Sequence, residues 1–231
     1  MIVDLNCDLG EGSEGDAELI PLVTSVNVAC GFHAGDAATM FRTLELAQRF
    51  GVRVGAHPGH LDRANFGRVE IPRTMQQIFE ESLYQVGALM AVAKGVGVTV
   101  DHLKPHGALY HQCGRDDQYA EPIVRICEMW NFTLVGLPNS RMQTLAENRC
   151  PFVAEGFADR RYLPDGTLVP RTSPDAFVHD PIEAVRQVRQ LLQSQQVRTI
   201  CVHGDNPQAL EFVRSVRASL LEQGFTLRAF A

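Results

Sequence analysis

The stretch "ACGFHAGD", Ala29–Asp36, decides how the rest of the chain is read. A run of small and apolar residues ends in a histidine with glycine close by on both sides. A core strand has no need of that histidine. The pattern returns as "GAHPGH" at Gly55–His60, "LKPHGAL" at Leu103–Leu109 and "VHGD" at Val202–Asp205. Short apolar runs that alternate with helical patterns imply a parallel sheet. Strands are expected at Ile2–Cys7, Ser25–Cys30, Arg53–His57, Thr99–Pro105, Thr133–Leu137, Phe152–Phe157, Thr199–His203 and Thr226–Phe230. Between them, Met75, Ile78, Phe79, Leu83, Val86, Leu89 and Met90 mark one helix face, and Ile182, Val185, Val188 and Leu192 mark another. "DPIE" at Asp180–Glu183 reads as an N-cap, a first-turn proline and a capping-box glutamate, and Asn206 opens a helix in the same way. This many strand–helix units suggest a closed α/β barrel of TIM type, with a doubly wound open sheet as the alternative. No linker or low-complexity tract divides residues 1–231, so one domain is expected, with Asp159–His179 as a long loop or hairpin insertion.

Side chains alternate along a strand, so each strand has two faces. Asp4, Asn6 and Asp8 share one face of the first strand, while Val3, Leu5 and Cys7 share the other. His102, Lys104 and His106 fall together, as do Thr199, Cys201 and His203, and Glu155 stands opposite its apolar neighbours. Asn27, Gly31 and His33 align if the second strand stays extended. In a barrel the apolar face meets the helices and the polar face fills the interior. Isolated buried charges cost several kcal/mol each unless they are paired or bound. An interior offered carboxylates, a lysine and histidines is therefore hard to explain as packing. Asp8, His33, His57, His106 and His203 fall at the C-terminal ends of strands, where parallel barrels build their sites.

Composition narrows the function. The chain of 231 residues is 45% hydrophobic and 21% charged, with a net charge of -6 and no basic patch, so nucleic acid is not an expected partner. No apolar run approaches the roughly 20 residues that span a bilayer. The N-terminal "MIVDLNCDLGEG" carries acidic residues where a secretion signal carries basic ones, so a cytoplasmic location is expected. The six cysteines form no C-x-x-C pair and are expected as reduced thiols. The Walker and G-x-S-x-G motifs are missing.

"DLGEG" is glycine-rich, but Asp8, Glu11 and Glu14 make it electronegative, which suits a metal, an ammonium group or proton transfer better than phosphate. Asp8, His33, His57 and His106 form a candidate divalent-metal set, although their spacing matches no compact ligand motif. Direct acid–base or hydrogen-bonding roles are the competing reading. Lys104 is one of two lysines and could hold a substrate carboxylate or an oxyanion, or pair with Glu155 or Asp4 in the core. Asp36 and Asp205 precede helices and suit N-caps. Glu155, Asp159, Arg160 and Arg171 are candidate contacts to an anionic substrate, while His60, His111 and His179 are given little functional weight.

The segments "DLNCDLGEG", "NVACGFHAGD", "VGAHPG", "NFGR", "YQVGAL", "LKPHGALY", "FADRRY", "DGTLVPR" and "CVHGD" closely resemble the LamB/YcsF family, in order and over nearly the whole chain. The resemblance implies an irregular, seven-stranded β/α barrel related to sugar deacetylases. It implies the A component of an ATP-hydrolysing 5-oxoprolinase, which opens the lactam of 5-oxoproline to glutamate together with partner subunits B and C. ATP, with Mg2+, would be used by the complex, in keeping with the missing nucleotide motif. On these motif positions the expected catalytic residues are Asp8, Lys104, His106 and His203. The expected substrate-binding residues are Asn6, Glu11, His33, His57, Glu155, Asp159 and Arg160. Two departures stand out: "SEGDAEL" after "DLGEG", and "QLLQSQQVRT" before the last motif, are shorter than in many relatives. The alternatives are a stand-alone metal-dependent amide or sugar deacetylase, and a non-catalytic component that organises a partner enzyme.

Overall fold

The computed structural model describes residues 1–13, 15–194, 197–203 and 209–230. Among the described residues, strands and α-helices alternate in the order β1 (Ile2–Leu9), α1 (Asp16–Leu19), β2 (Ser25–Ala29), α2 (Ala37–Phe50), β3 (Arg53–His57), α3 (Met75–Val96), β4 (Val100–Leu103), α4 (Gly107–Arg115), α5 (Asp117–Trp130), β5 (Thr133–Gly136), α6 (Arg141–Ala146), β6 (Phe152–Phe157), α7 (Pro181–Ser194), β7 (Thr199–His203), α8 (Ala209–Glu222) and β8 (Thr226–Leu227). The pairings between these strands are parallel. β1 closes the barrel by pairing with β7 on one side (Asp4 with Thr199, Asp8 with His203) and with β2 on the other (Asn6 with Ser25, Asp8 with Asn27). The result is a closed, seven-stranded β/α barrel, so the open-sheet alternative does not apply.

Alternation divides the strands as their sequence implies. Val3, Leu5, Cys7, Val26, Val28, Val54, Leu103 and Ile200 pack outward against Leu44, Ile78, Val86, Leu89, Ile126, Val188 and Val213 of the helices. The eighth strand does not enter the barrel wall. It pairs with Ile2 and Val3 at the N-terminal end and delivers Phe230, which packs on the inward-facing Val135 and Val153. The His102 ring meets Phe230 edge-on at 5.2 Å, and the Arg53 guanidinium donates to the Phe230 carbonyl. The bottom of the barrel is thereby plugged with apolar surface, leaving the polar interior accessible from the C-terminal end.

Local capping follows the sequence in most places. Asp36 caps α2 by accepting from Thr39 N at 2.8 Å, and Thr74 with Gln77 forms a capping box on α3. Asp180 accepts from Ile182 N at 3.0 Å, but Glu183 turns to Arg161 instead (3.1 Å), and Ile182 is 72% exposed rather than part of the buried face. The cysteines are free thiols. Residues 159–179 form a hairpin-like flap with antiparallel bridges Arg160–Phe177 and Tyr162–Leu168. Gln187 of α7 pins its base by donating to the carbonyls of Phe157 and Arg160, both at 2.8 Å. Glu14, Asp205 and the helix start at Asn206 lie outside the described residues. No helix among the described residues is long and apolar enough to cross a membrane.

Candidate active site

The barrel interior is a stack of hydrogen-bonded polar layers. In the lowest, Asp4 accepts from Thr24 Oγ1 (2.6 Å), Ser25 Oγ (2.8 Å) and Thr199 Oγ1. Burial raises the Asp4 pKa, and the three hydroxyls oppose that shift. Above it, Asn6 Nδ2 donates to Glu155 Oε1 (3.0 Å) and Thr199 Oγ1 (2.7 Å), and Asn27 Nδ2 bridges Asn6 Oδ1 and Asp8 Oδ1 (2.9 and 2.8 Å). Buried polar groups satisfied in this way hold one another in place.

Lys104 caps this stack. Its Nζ lies 2.7 Å from Glu155 Oε1, 3.0 Å from Asp8 Oδ1 and 3.2 Å from Cys201 Sγ. Burial alone would discharge the ammonium, but the carboxylates of Asp8 first, then Glu155, hold its pKa well above the usual lysine value. Burial likewise opposes ionisation of Asp8, yet His57 and Lys104 keep that carboxyl well below its ordinary pKa. Cys201 remains a thiol, because burial pushes its pKa up more than Lys104 lowers it. Tyr110 donates to Glu155 Oε2 at 3.0 Å, completing the lock on that carboxylate.

Beside Asp8 stands the histidine cluster anticipated by the opening stretch. β2 ends at Ala29, and His33 sits in the loop beyond it, not on an extended strand. Gly31 and Gly35 take positive φ (92° and 73°), and a Cβ on Gly35 would come within 2.3 Å of the Gly10 carbonyl. Only glycine allows the "GFHAGD" and "DLGEG" loops to touch so closely. Their contact brings His33 Nε2 to 3.2 Å from Glu11 Oε1 and stacks the His33 ring on His106, 3.7 Å between centroids. One donor atom from each of Glu11, His33, His57 and His106 falls within 4.8 Å of the others. The carboxylate of this group is Glu11. Asp8 touches it only through His57 Nε2, at 3.3 Å, and belongs to a second group with Cys201 and His203, which Lys104 already reaches.

Two hydrogen bonds fix the tautomers. His57 Nδ1 donates to the Lys104 carbonyl (2.7 Å), and His106 Nε2 donates to the Phe66 carbonyl (2.9 Å). The remaining nitrogens, His57 Nε2 and His106 Nδ1, face each other at 2.9 Å. With both rings neutral, two lone pairs would be directed at one point. Burial, then His33 and His57, holds the His106 pKa well below the usual value, and burial likewise depresses that of His33, whose Nδ1 has no hydrogen-bond partner. Carbonyl-anchored rings whose remaining nitrogens converge have the geometry with which imidazole binds a divalent cation.

A cleft opens above these layers. Its floor is Asp8, His57, Lys104 and His106. Its walls include Tyr110, Phe157 and His203, and its rim includes Arg68, His111, Arg160, Leu168 and Arg171. His203 Nδ1 lies 2.8 Å from Asp159 Oδ2, and that carboxylate also accepts from the His203 backbone N–H at 3.0 Å. Asp159 thus orients the ring and leaves Nε2 for the cleft.

The four expected catalytic residues, Asp8, Lys104, His106 and His203, all line this cleft, as do His57 and Arg160. Asn6 and Glu155 do not: they lie one layer below, 1% and 0% exposed, with their polar atoms committed to Lys104, Tyr110, Thr199 and Asn27. Their expected role as substrate contacts is corrected to support of the floor. Asp159 acts through His203, and Glu11 and His33 sit in the histidine cluster. Arg160 is buried and donates to the Val169 carbonyl at 2.6 Å, tying down the flap as well as lining the cleft. Sequence reasoning assigns His111 and Arg68 no role, yet both line the cleft; the "NFGR" and "LKPHGALY" segments that contain or adjoin them are the available signal.

A closed parallel barrel with carboxylates and histidines gathered at its C-terminal mouth defines an enzyme-type scaffold. The LamB/YcsF family model matches residues 3–231, and the chain belongs to that family. A lactam utilization protein from Thermus thermophilus is similar at 37% identity over 100% of both chains, with a TM-score of 0.92. More distant structures share the fold alone. A putative cellobiose-phosphate cleavage protein from Enterococcus faecalis has 12% identity, 98% and 95% coverage and a TM-score of 0.63. A family 4 carbohydrate esterase from Streptomyces lividans, in complex with acetate, has 12% identity, 100% and 93% coverage and a TM-score of 0.52.

Proposed function

We propose that this protein is a hydrolase of a cyclic amide, acting as the A component of an ATP-dependent 5-oxoprolinase that converts 5-oxo-L-proline to L-glutamate with partner subunits B and C. The observation that carries the reading is the Asp159–His203 pair set on the wall of a cleft whose floor is Asp8 and Lys104. Family membership and the Thermus relative's description as a lactam utilization protein support the substrate class.

An unstrained lactam is a poor electrophile. Transfer of the γ-phosphoryl group of ATP to the lactam oxygen, by the complex, would make the ring carbon open to water. Water adds to that carbon, the ring C–N bond breaks as the nitrogen takes up a proton, and a second water hydrolyses the acyl phosphate so formed, leaving the carboxylate and phosphate. Catalytic proton transfer favours a group that titrates near the operating pH. Asp8, held ionised far below that range, is a weak base and serves as a fixed negative acceptor for the lactam N–H. His203, oriented by Asp159, takes the proton from water and returns it to the ring nitrogen. Lys104 holds Asp8 in place and keeps the floor from carrying two uncompensated carboxylates.

The converging ring nitrogens of His57 and His106 favour a bound divalent metal, the feature shared with the deacetylase-type alternative. Glu11, His33, His57 and His106 would hold it, and it would supply Lewis-acid polarisation beside Asp8. Metal content and zinc titration of the full chain check this, with Glu11→Gln expected to weaken binding by roughly tenfold or more; unchanged affinity contradicts the assignment.

The function is tested by supplying 5-oxoproline and ATP to this chain with its two partners. Glutamate release that requires ATP and ceases when this chain is left out is the expected result. Chelator-sensitive hydrolysis by this chain alone, without ATP, would establish the metal-dependent hydrolase instead.

A further inference from the structure

The floor and the rim of the cleft carry opposite charge, and this separation determines which way a substrate must enter. Lys104 is the cation nearest the floor, but it stands between Asp8 at 3.0 Å and Glu155 at 2.7 Å. Two buried carboxylates against one ammonium leave no net positive charge there for a substrate anion. The cations at the rim are arginines. Arg160 and Arg171 flank the same ring, Phe177, with their guanidinium carbons 5.2 and 5.4 Å from its centroid. Arg68 lies over Phe66, 4.7 Å from the centroid. Stacking on an aromatic face holds a guanidinium flat and presents its edge, the arrangement suited to bidentate binding of a carboxylate. Arg160 is buried and bonded to the Val169 carbonyl, whereas Arg68 is exposed and Arg171 half-buried, the placement from which a rim side chain meets an entering ligand. His111 registers the same field: burial, then Arg160 and Arg171, pulls its pKa down to about 4, so it stays neutral and leaves the rim's charge to the arginines.

We propose that Arg171 and Arg68 form a carboxylate-binding subsite that selects a cyclic amide bearing a carboxylate beside the ring nitrogen, with the carboxylate on the rim and the amide N–H directed down to Asp8. The inference rests on the lactam reading above and deepens it. It makes the two arginines specificity-determining residues, and it moves to them the carboxylate contact that was one of the roles open to Lys104. A neutral lactam would meet the same floor but gain nothing at the rim.

The test is equilibrium binding to the full chain, by titration calorimetry or ligand-observed NMR, of three probes: 5-oxoproline, 2-pyrrolidinone (the same ring without the carboxylate) and propionate. Wild-type protein, Arg171→Gln and Arg68→Gln are compared after matching their thermal unfolding, with Arg171→Lys as the variant that keeps charge but loses the planar fork. The expected result is a roughly 10- to 100-fold loss of 5-oxoproline affinity in each Gln variant, with 2-pyrrolidinone binding unchanged. Equal binding of 5-oxoproline by wild type and both Gln variants overturns the subsite while leaving the lactam reading intact. Binding of propionate alone, lost in the variants, would keep the anion subsite and remove the lactam reading. Binding of no probe by the wild type would remove both.

Discussion

Lys104 shows how a single side chain ties stability to function. Its ammonium is the cation that compensates Asp8 and Glu155, so Lys104→Met should do more than stop turnover. Breaking a buried pair by removing one partner costs about 3–5 kcal/mol, and urea unfolding should show a loss of that size. Adding Glu155→Gln should recover part of the stability and none of the activity; full recovery of activity would remove Lys104 from the site's chemistry. His111 gives a pH signature. Its folded pKa is depressed to about 4, so the unfolded chain binds its proton first as pH falls below the ordinary histidine value. Its contribution opposes folding increasingly from about pH 6.5 down to about 4. His111→Gln should therefore lessen the acid destabilisation between about pH 7 and about pH 5 by roughly 1–2 kcal/mol, and an unchanged stability–pH slope would contradict its half-buried, neutral state. At this scale strand alternation in the sequence reveals Asp8, Lys104, His106 and His203. It misjudges Glu155, because alternation says that a side chain points inward but not how deep it lies.

At the scale of elements, strand ends and loop contacts decide where those side chains go. β3, β6 and β7 run as the sequence indicates, whereas β4 stops at Leu103, before Lys104 and Pro105, which has no N–H to donate. The β2 strand also ends early, and the His33 loop depends on glycine contacts that no periodicity shows. Gly55 illustrates the same limit inside the barrel: a Cβ there would lie 2.1 Å from His102 Cδ2. Gly55→Ala should force the His102 ring away from Asn27 Oδ1, which its Nε2 meets at 3.1 Å, and destabilise the fold by about 1–3 kcal/mol, read by chemical denaturation. A neutral substitution would mean that the polar stack is looser than described. The flap at residues 159–179 is legible as an irregular insertion from its proline and glycine content. That it carries Leu168 and Arg171 to the cleft rim is not, because the contact is long-range.

The whole molecule is a barrel closed by β1, plugged at one end by Phe230 and open at the other over a layered polar interior. Strand count and alternation make the barrel and its working end readable, and the ordered motifs make the family readable. The plug, the flap's placement and the pairing of Glu11 with three histidines arise from closure, which brings together residues far apart in sequence. The same closure sets His203, held by Asp159, beside Asp8 on the neighbouring strand. The most direct test of the account is the rate of glutamate formation from 5-oxoproline and ATP by the three-component assembly, comparing wild type with a stably folded His203→Gln variant of this chain. A fall in kcat of about 100-fold or more is expected, with ATP dependence retained in the residual activity. An undiminished rate would contradict it, because the oriented histidine would then have no part in opening the ring.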